Sequence, residues 1–197
     1  MGRIIWINGP FGGGKTVTAF ELHRRLPGSM VFDPEEAGFY LRRCQPKSLQ
    51  CDNFQDDQLW RNINLAMLRD LAVRHEGVIL VPMTVYNPDY YHEILTALRQ
   101  GGVVIDHFAL RARPETVRRR LRGRFQWRKS WAAQHIEPCL RALSGPPFEN
   151  LIEADALTIP QVAEAIAAAS GLKLIFRDRV PGLFFLKNLI TRLCYIR

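Results

Sequence analysis

Short apolar runs recur along this chain at the intervals expected of buried strands. They cover residues 4–7, 30–32, 77–83, 103–110 and 151–155. The run at 77–83, GVILVPM, is apolar on both faces, which is typical of a strand inside a parallel sheet. The pattern therefore predicts five strands.

Between these runs, apolar residues are spaced by three and four positions, which predicts amphipathic helices. Because strands and helices alternate, we expect an α/β protein with a doubly wound, five-stranded parallel sheet and helices on both faces. Thr158 and Gln161 have the spacing of a capping box for a last helix that ends at Gly171. The residues that set the helical spacing are Ala19, Leu22 and Leu26, then Trp60, Ile63, Met67 and Leu71, then Tyr91, Ile94, Leu95 and Leu98, then Ile136, Cys139, Leu140 and Leu143.

Two stretches depart from this alternation. Residues 35–58 are irregular and mixed in polarity, which predicts an insertion that covers a substrate. Over residues 184–196, apolar side chains gather on one helical face and basic side chains on the other. We therefore predict one domain at residues 1–172 and a basic amphipathic tail at residues 173–197. Such a tail either docks on its own core or makes a peripheral contact with a membrane surface.

The composition allows one buried core, since 47% of the 197 residues are hydrophobic. The net charge of +8 is concentrated in residues 113–129 and 171–197, and such clusters serve nucleic acid, nucleotide phosphates or an anionic membrane. The four cysteines have no C-x-x-C or metal-ligand spacing, which predicts reduced thiols. A strand at the start of the chain and the lack of an apolar run of about 18 residues predict a cytoplasmic protein.

The strongest chemical signal directly follows the first strand. The chain there has the spacing G-x-x-x-x-G-K-[ST] of a phosphate-binding loop. Three consecutive glycines let the backbone turn its N–H groups towards a polyphosphate, and the following helix adds a positive dipole. We expect Lys15 to reach the outer phosphates and the Thr16 hydroxyl to bind Mg²⁺. The predicted phosphate site consists of Gly9, Pro10, Phe11, Gly12, Gly13, Gly14, Lys15 and Thr16.

Asp33 ends the second predicted strand, where side chains of a parallel α/β sheet point into the ligand crevice. It is a candidate to hold Mg²⁺ or to accept a proton from an acceptor hydroxyl. It also has the position of a cap for a helix that begins at Pro34. The sequence leaves both roles open, and one carboxylate could fill both.

The third predicted strand lacks the Mg²⁺-binding acid with which nucleotide-hydrolysing P-loop proteins usually end this strand. Pro82, Met83 and Thr84 stand there instead. This departure disfavours a motor or switch ATPase and leaves metal binding to Thr16, Asp33 and water. Thr84 and Arg61 are candidate substrate contacts, although a solvated helix face is the more common place for a residue such as Arg61.

An arginine-rich segment follows the fourth predicted strand. Like charges at helical spacing repel one another unless an anion lies among them. In small P-loop kinases such a segment is a lid that closes over the triphosphate and stabilises the transferring phosphoryl group. We predict a lid at about residues 118–131, with Arg120 and Arg124 as charge stabilisers. The rival use is nucleic-acid binding, in which interspersed aromatic rings would stack on bases. The arginines are Arg119, Arg120, Arg122, Arg124 and Arg128, and the aromatic residues are Phe125, Trp127 and Trp131.

With these features in view, the sequence resembles the bacterial tunicamycin resistance protein family over nearly the whole chain. The resemblance is carried by IIWINGPFGGGKT, TAFELHRRL, FDPEEAGF, VPMT, RLRGR and SWAAQHIEPCLRAL, which begin at residues 4, 18, 32, 81, 120 and 130. It implies a three-layer P-loop fold like that of nucleoside monophosphate kinases, and ATP binding at residues 9–16. It also implies protection against tunicamycin, a uridine-containing nucleoside antibiotic.

Two functions of different classes follow from these features. In the first, the protein is a small-molecule phosphotransferase, in which Lys15 and Thr16 hold Mg·ATP, Asp33 accepts a proton, and Arg120 and Arg124 stabilise the phosphoryl group passed to tunicamycin. In the second, a non-catalytic trap closes on the drug when ATP binds, near the membrane where the drug acts. The kinase hypothesis is favoured. A nucleic-acid binder is supported by charge alone, and no nucleic-acid partner is expected.

Overall fold

β1 lies at the centre of a parallel sheet whose five strands have the order β2-β3-β1-β4-β5. The computed structural model describes residues 2–122, 134–148 and 150–175. The sheet confirms the predicted five-stranded parallel arrangement. Its strands are β1 (Arg3–Asn8), β2 (Met30–Val31), β3 (Val78–Pro82), β4 (Val104–Arg111) and β5 (Leu151–Glu153).

Helices cover both faces of this sheet, as the alternation of elements predicted. The two faces follow from the period-two geometry of β1, because successive side chains of a strand point to opposite sides. Ile5 and Ile7 pack with α1 and α7, whereas Ile4 and Trp6 pack with α3 and α4. The helices of the described chain are α1 (Lys15–Arg25), α2 (Glu35–Cys44), α3 (Gln58–Arg74), α4 (Pro88–Gln100), α5 (Pro114–Arg122), α6 (Ile136–Leu143) and α7 (Ile159–Ala169).

The centre of the sheet is dry, and this determines where polar chemistry is possible. Residues 4–7 of β1 are at most 1% exposed, and β3 and β4 flank them in register on either side. Because both faces are covered, ligands of such a sheet bind at the carboxyl ends of the strands. The chain leaves β1 at that edge and immediately enters the glycine-rich loop.

The prediction of an irregular insertion at residues 35–58 was wrong for its first part, which forms α2. Only Gly38 and Leu41 of this helix are buried, although its apolar side chains gather on one face. Two short 3₁₀ turns, Lys47–Leu49 and Phe54–Asp56, complete the segment. The Phe54 ring lies against Gly38 and holds the second turn on α2.

The last helix is capped as predicted, since Gln161 Oε1 accepts the Thr158 backbone N–H at 2.9 Å. Beyond it, the Ile175 N–H donates to the carbonyl oxygen of Arg25 at 2.9 Å. The rest of the predicted tail, residues 176–197, lies outside the described residues, and the boundary at residue 172 stays a prediction. Over the described ranges, no helix has both the length and the apolar character needed to cross a bilayer.

Gly38→Ala tests the packing of α2. Alanine favours a helix by about 1 kcal/mol over glycine, but the added Cβ would lie 2.5 Å from Cγ of Phe54. We expect a net loss of about 1–3 kcal/mol in the free energy of unfolding, because the ring must move. Urea unfolding measures it. Gly145→Ala is the matched control, since its Cβ would enter open space and should change stability by no more than about 0.5 kcal/mol. Equal effects of the two substitutions would contradict the packing argument.

Candidate functional site

The glycine-rich loop at residues 9–16 joins the end of β1 to the start of α1. Gly14, the residue before α1, has φ 101°, in the left-handed region that glycine adopts without strain. Gly14 has no side chain with which to cap this helix end, and the first turn of α1 contains no acidic residue. The first backbone N–H groups of a helix have no intrahelical acceptor. This end of α1 is therefore suited to a bound anion such as a phosphate.

Lys15 folds back over the loop that precedes it. Its side chain is nearly buried, and Nζ donates to the Pro10 carbonyl oxygen at 3.1 Å and lies 5.4 Å from the centroid of the Phe11 ring. Thr16 follows in the first turn of α1 and is partly buried. The loop thus presents an ammonium group, a hydroxyl group and helix-end N–H groups together. This donor set fits a nucleotide polyphosphate, and Thr16 is the residue that would hold an accompanying Mg²⁺.

The arginine-rich segment begins directly against the loop. A Cβ on Gly12 would lie 3.0 Å from the Leu121 side chain, and Gly12 has φ 78°, so glycine suits this close approach of α5 to the loop. Arg120 donates from Nη1 to the Gly13 carbonyl oxygen at 3.4 Å and from Nη2 to the Ala154 carbonyl oxygen at 3.3 Å. The structure therefore brings one of the two predicted lid arginines to the phosphate loop.

Arg124, the other predicted lid arginine, lies outside the described residues, as do residues 123–131 of the predicted lid. Its role stays a prediction. In the described part of α5, Arg118 forms an ion pair with Glu137 of α6, and Arg119 and Arg122 are exposed.

The first glycine of the loop is held by buried side chains. The Gly9 N–H donates to Asn8 Oδ1 at 2.8 Å, and the Thr84 hydroxyl donates to the Gly9 carbonyl oxygen at 2.8 Å. Asn8 and Thr84 are both fully buried. The structure therefore places Thr84 beneath the loop, and its predicted contact with a substrate stays a prediction.

Asp33 is partly buried after β2, and its Oδ1 accepts the N–H of Glu35, the first residue of α2, at 3.0 Å. Burial and then the charge of Glu35 raise the pKa of Asp33 to about 7, whereas the charge of Lys15 acts in the opposite direction. Burial also raises the pKa of Glu35, and Lys15 again opposes the shift. The two carboxyl groups and the loop lysine therefore interact. Asp33 is able to exchange a proton near neutral pH while its Oδ1 also accepts a hydrogen bond at the start of α2.

Arg61 lies in α3 and is only 7% exposed, so the alternative of a solvated helix face is wrong for this residue. Its Nε donates to Glu93 Oε2 of α4 at 2.9 Å, and the guanidinium group also binds the Gln55 carbonyl and the Gln58 side chain. The same group lies 4.1 Å from the centroid of the Tyr90 ring. Arg61 thus ties α3 to α4 and to the turn at Phe54–Asp56. Its predicted contact with a substrate stays a prediction.

Sequence reasoning missed two residues of this region. Asn8 carried a visible signal, since it is a polar residue at the end of an otherwise apolar strand. Glu35 was not selected, because a glutamate in the first turn of a helix is an ordinary stabilising feature. Cys139 was assigned to the core, which is correct, and burial raises the pKa of its thiol to about 12. That thiol is therefore not a nucleophile at neutral pH.

Comparison with known proteins agrees with this geometry. The family model described as AAA domain matches residues 4–138. Among solved structures, the tunicamycin resistance protein of Deinococcus radiodurans is 37% identical, over 90% of this chain and 100% of that chain, with a TM-score of 0.78. This chain belongs to the tunicamycin resistance protein family. The family assignment predicted from the sequence motifs is confirmed.

More distant structures show how this tunicamycin resistance family member is built. A gluconokinase from Sinorhizobium meliloti is 12% identical, with a TM-score of 0.60 over 94% of this chain and 97% of that chain. A shikimate kinase from Bacteroides thetaiotaomicron is 18% identical, with a TM-score of 0.58 over 86% and 99%. These likenesses confirm a P-loop kinase-like fold. A sequence comparison with curated proteins gave no significant match.

Thr84→Val tests the support beneath the loop. Valine keeps the shape of threonine but leaves the buried Gly9 carbonyl without its donor, which costs about 1–3 kcal/mol. We expect lower stability in urea unfolding and weaker binding of Mg·ATP in calorimetric titration. Thr84→Ser retains the hydroxyl group and is the control. If both variants bound nucleotide equally well, the hydroxyl contact would be unimportant for the loop.

Asp33→Asn tests the raised pKa through stability. The unfolded carboxyl titrates near 3.8 and the folded one at about 7, so between these values the folded state keeps a proton that the unfolded chain has lost. The contribution of Asp33 to stability therefore falls as the pH rises from about 4 to 7 and is constant above. Asparagine can still accept the Glu35 N–H but does not titrate. We expect the stability of the variant relative to the original protein to increase across this window in urea unfolding. A difference independent of pH would show that the carboxyl has an ordinary pKa.

Proposed function

We propose that this protein binds Mg·ATP at residues 9–16 and transfers the γ-phosphoryl group to a hydroxyl of tunicamycin or a related nucleoside. The observation that carries the proposal is the interaction of Asp33 with Lys15. A carboxyl group with a pKa of about 7 lies near the group that binds the outer phosphates. A proton acceptor beside a phosphate site is what transfer to an alcohol requires.

The proposed transfer follows from these positions. Asp33 accepts the proton of the acceptor hydroxyl, and the hydroxyl oxygen forms a bond to the γ-phosphorus. The bond between that phosphorus and the β–γ bridging oxygen breaks, and ADP leaves. Lys15, Arg120 and the N-terminus of α1 stabilise the negative charge on the phosphoryl oxygens. Mg²⁺, when bound at Thr16, neutralises charge on the same phosphates.

A second function is favoured by one specific observation. The end of β3 carries Pro82 and Met83 where nucleotide-hydrolysing P-loop proteins have a metal-binding acid. In the alternative, ATP closes the lid over tunicamycin without phosphoryl transfer, and the protein sequesters the drug. The basic amphipathic tail would then hold the protein at the membrane surface, on the cytoplasmic side where ATP is available. Neither form of the proposal includes a nucleic-acid partner.

Incubation with Mg·ATP and tunicamycin separates the two functions. We expect mass spectra to show the drug with one added phosphoryl group and ADP in equal amount. Asp33→Asn should lower the rate by about 10²–10⁴-fold, because the proton acceptor is lost, while Mg·ATP affinity stays close to that of the original protein. Lys15→Ala should abolish nucleotide binding and resistance of the host cell together.

The opposite results are equally informative. Unmodified drug at full occupancy, with tight binding that depends on ATP, would reject transfer and support the trap. Resistance that survives Lys15→Ala would show that the loop is not needed for protection, and both functions would then be wrong.

A further inference from the structure

The side-chain amide of Asn8 has one orientation that fits its surroundings. Its Oδ1 accepts the N–H groups of Gly9 at 2.8 Å and of Val85 at 3.1 Å, and its Nδ2 donates to the Val85 carbonyl oxygen at 2.7 Å. In a flipped amide, Oδ1 would face that carbonyl oxygen and Nδ2 would face two N–H donors. Hydrogen bonds with backbone groups therefore determine the positions of Oδ1 and Nδ2 in the Asn8 side chain.

The second N–H of Asn8 Nδ2 faces His107 of β4. Its Nδ2 lies 3.2 Å from His107 Nε2, and the two residues are 0% and 2% exposed. An amide nitrogen donates but does not accept, so Nε2 must offer a lone pair. A neutral imidazole has one protonated and one unprotonated nitrogen, and the proton of this ring must therefore be on Nδ1.

Aromatic packing holds the imidazole in this position. The Tyr91 ring of α4 meets the His107 ring edge-on with centroids 4.9 Å apart, and the Phe148 ring lies 6.0 Å away on centroids. Asn150 also donates from Nδ2 to the His107 carbonyl oxygen at 3.0 Å, which fixes the strand itself. The acceptor nitrogen is thus presented to Asn8 by groups on two separate segments of the chain, α4 and the connection that leads to β5.

We propose that His107, as the neutral ring protonated on Nδ1, is a positioning residue for the phosphate loop. Its Nε2 orients the Asn8 amide, and that amide holds the N–H of Gly9, where the loop begins. The inference rests on nucleotide binding by the loop and is independent of phosphoryl transfer to a drug. It assigns to β4 a role in nucleotide affinity, although no part of β4 belongs to the loop.

The tautomer is tested by NMR on the full chain labelled with ¹⁵N. Two-bond proton–nitrogen correlations distinguish a ring protonated on Nδ1 from one protonated on Nε2 and from an imidazolium ion. The sequence has five histidines, and the signal that disappears in His107→Gln identifies the ring. We expect the Nδ1–H form at neutral pH. The Nε2–H form or an imidazolium would overturn the proposal, because neither leaves a lone pair for Asn8.

Three variants test the positioning role. His107→Leu removes the acceptor, and we expect Mg·ATP to bind roughly 3- to 10-fold more weakly, with faster hydrogen exchange of the Gly9 amide. His107→Gln offers an amide oxygen to Asn8 and should restore much of both. Val104→Thr changes an exposed residue of the same strand and leaves the acceptor and its packing in place, so it should leave affinity within about twofold.

Equal loss of affinity in Val104→Thr, or no loss in His107→Leu, would overturn the positioning role. If His107→Leu does not fold, the tautomer of the original protein still decides the hydrogen-bond argument. If the original protein does not bind Mg·ATP, the proposed function fails, while the NMR result stands on its own.

Discussion

The uncapped N-terminus of α1 is the feature on which the rest of the site depends. The N-terminus of a helix carries a partial positive charge, and here neither Gly14 nor the first turn of α1 supplies a carboxylate to offset it. Lys15 and Arg120 add further positive charge at the loop. Two carboxyl groups, Asp33 and Glu35, lie within the influence of Lys15 but do not cap the helix, and burial favours their protonated forms. The loop thus keeps an excess of positive charge, which favours the binding of a polyphosphate.

The need to keep the loop in its anion-binding conformation explains why several buried polar groups form hydrogen bonds with a single glycine, Gly9. A backbone that turns its N–H groups outward to a ligand cannot use them for hydrogen bonds within the protein. Its conformation must therefore be stabilised by hydrogen bonds from buried side chains on the opposite side of the loop. Asn8, the last residue of β1, and Thr84, two residues after β3, do this by binding both polar atoms of Gly9. The dry core beneath them makes each of these hydrogen bonds costly to break.

The sequence predicted the strands, most helices and the phosphate loop, because each depends on local periodicity or on glycine at defined spacing. It failed at α2, because Gly38, Pro46 and the mixed polarity of the segment favoured an irregular insertion over a helix. It could not show that Arg61 is buried, since its partners Glu93 and Tyr90 come from α4 and meet it only in the fold. The contact between Asn8 and His107 spans 99 positions along the chain and is equally invisible to local patterns.

The contact between Ile175 and Arg25 determines how far the segment after the last helix lies from the phosphate loop. Ile175 is bound to Arg25, at the end of α1 that is remote from the loop. α1 has 11 residues, so about 16 Å of helix separates that point from the nucleotide site. A molecule attached close to residue 175 would therefore lie about three helical turns from the phosphate loop.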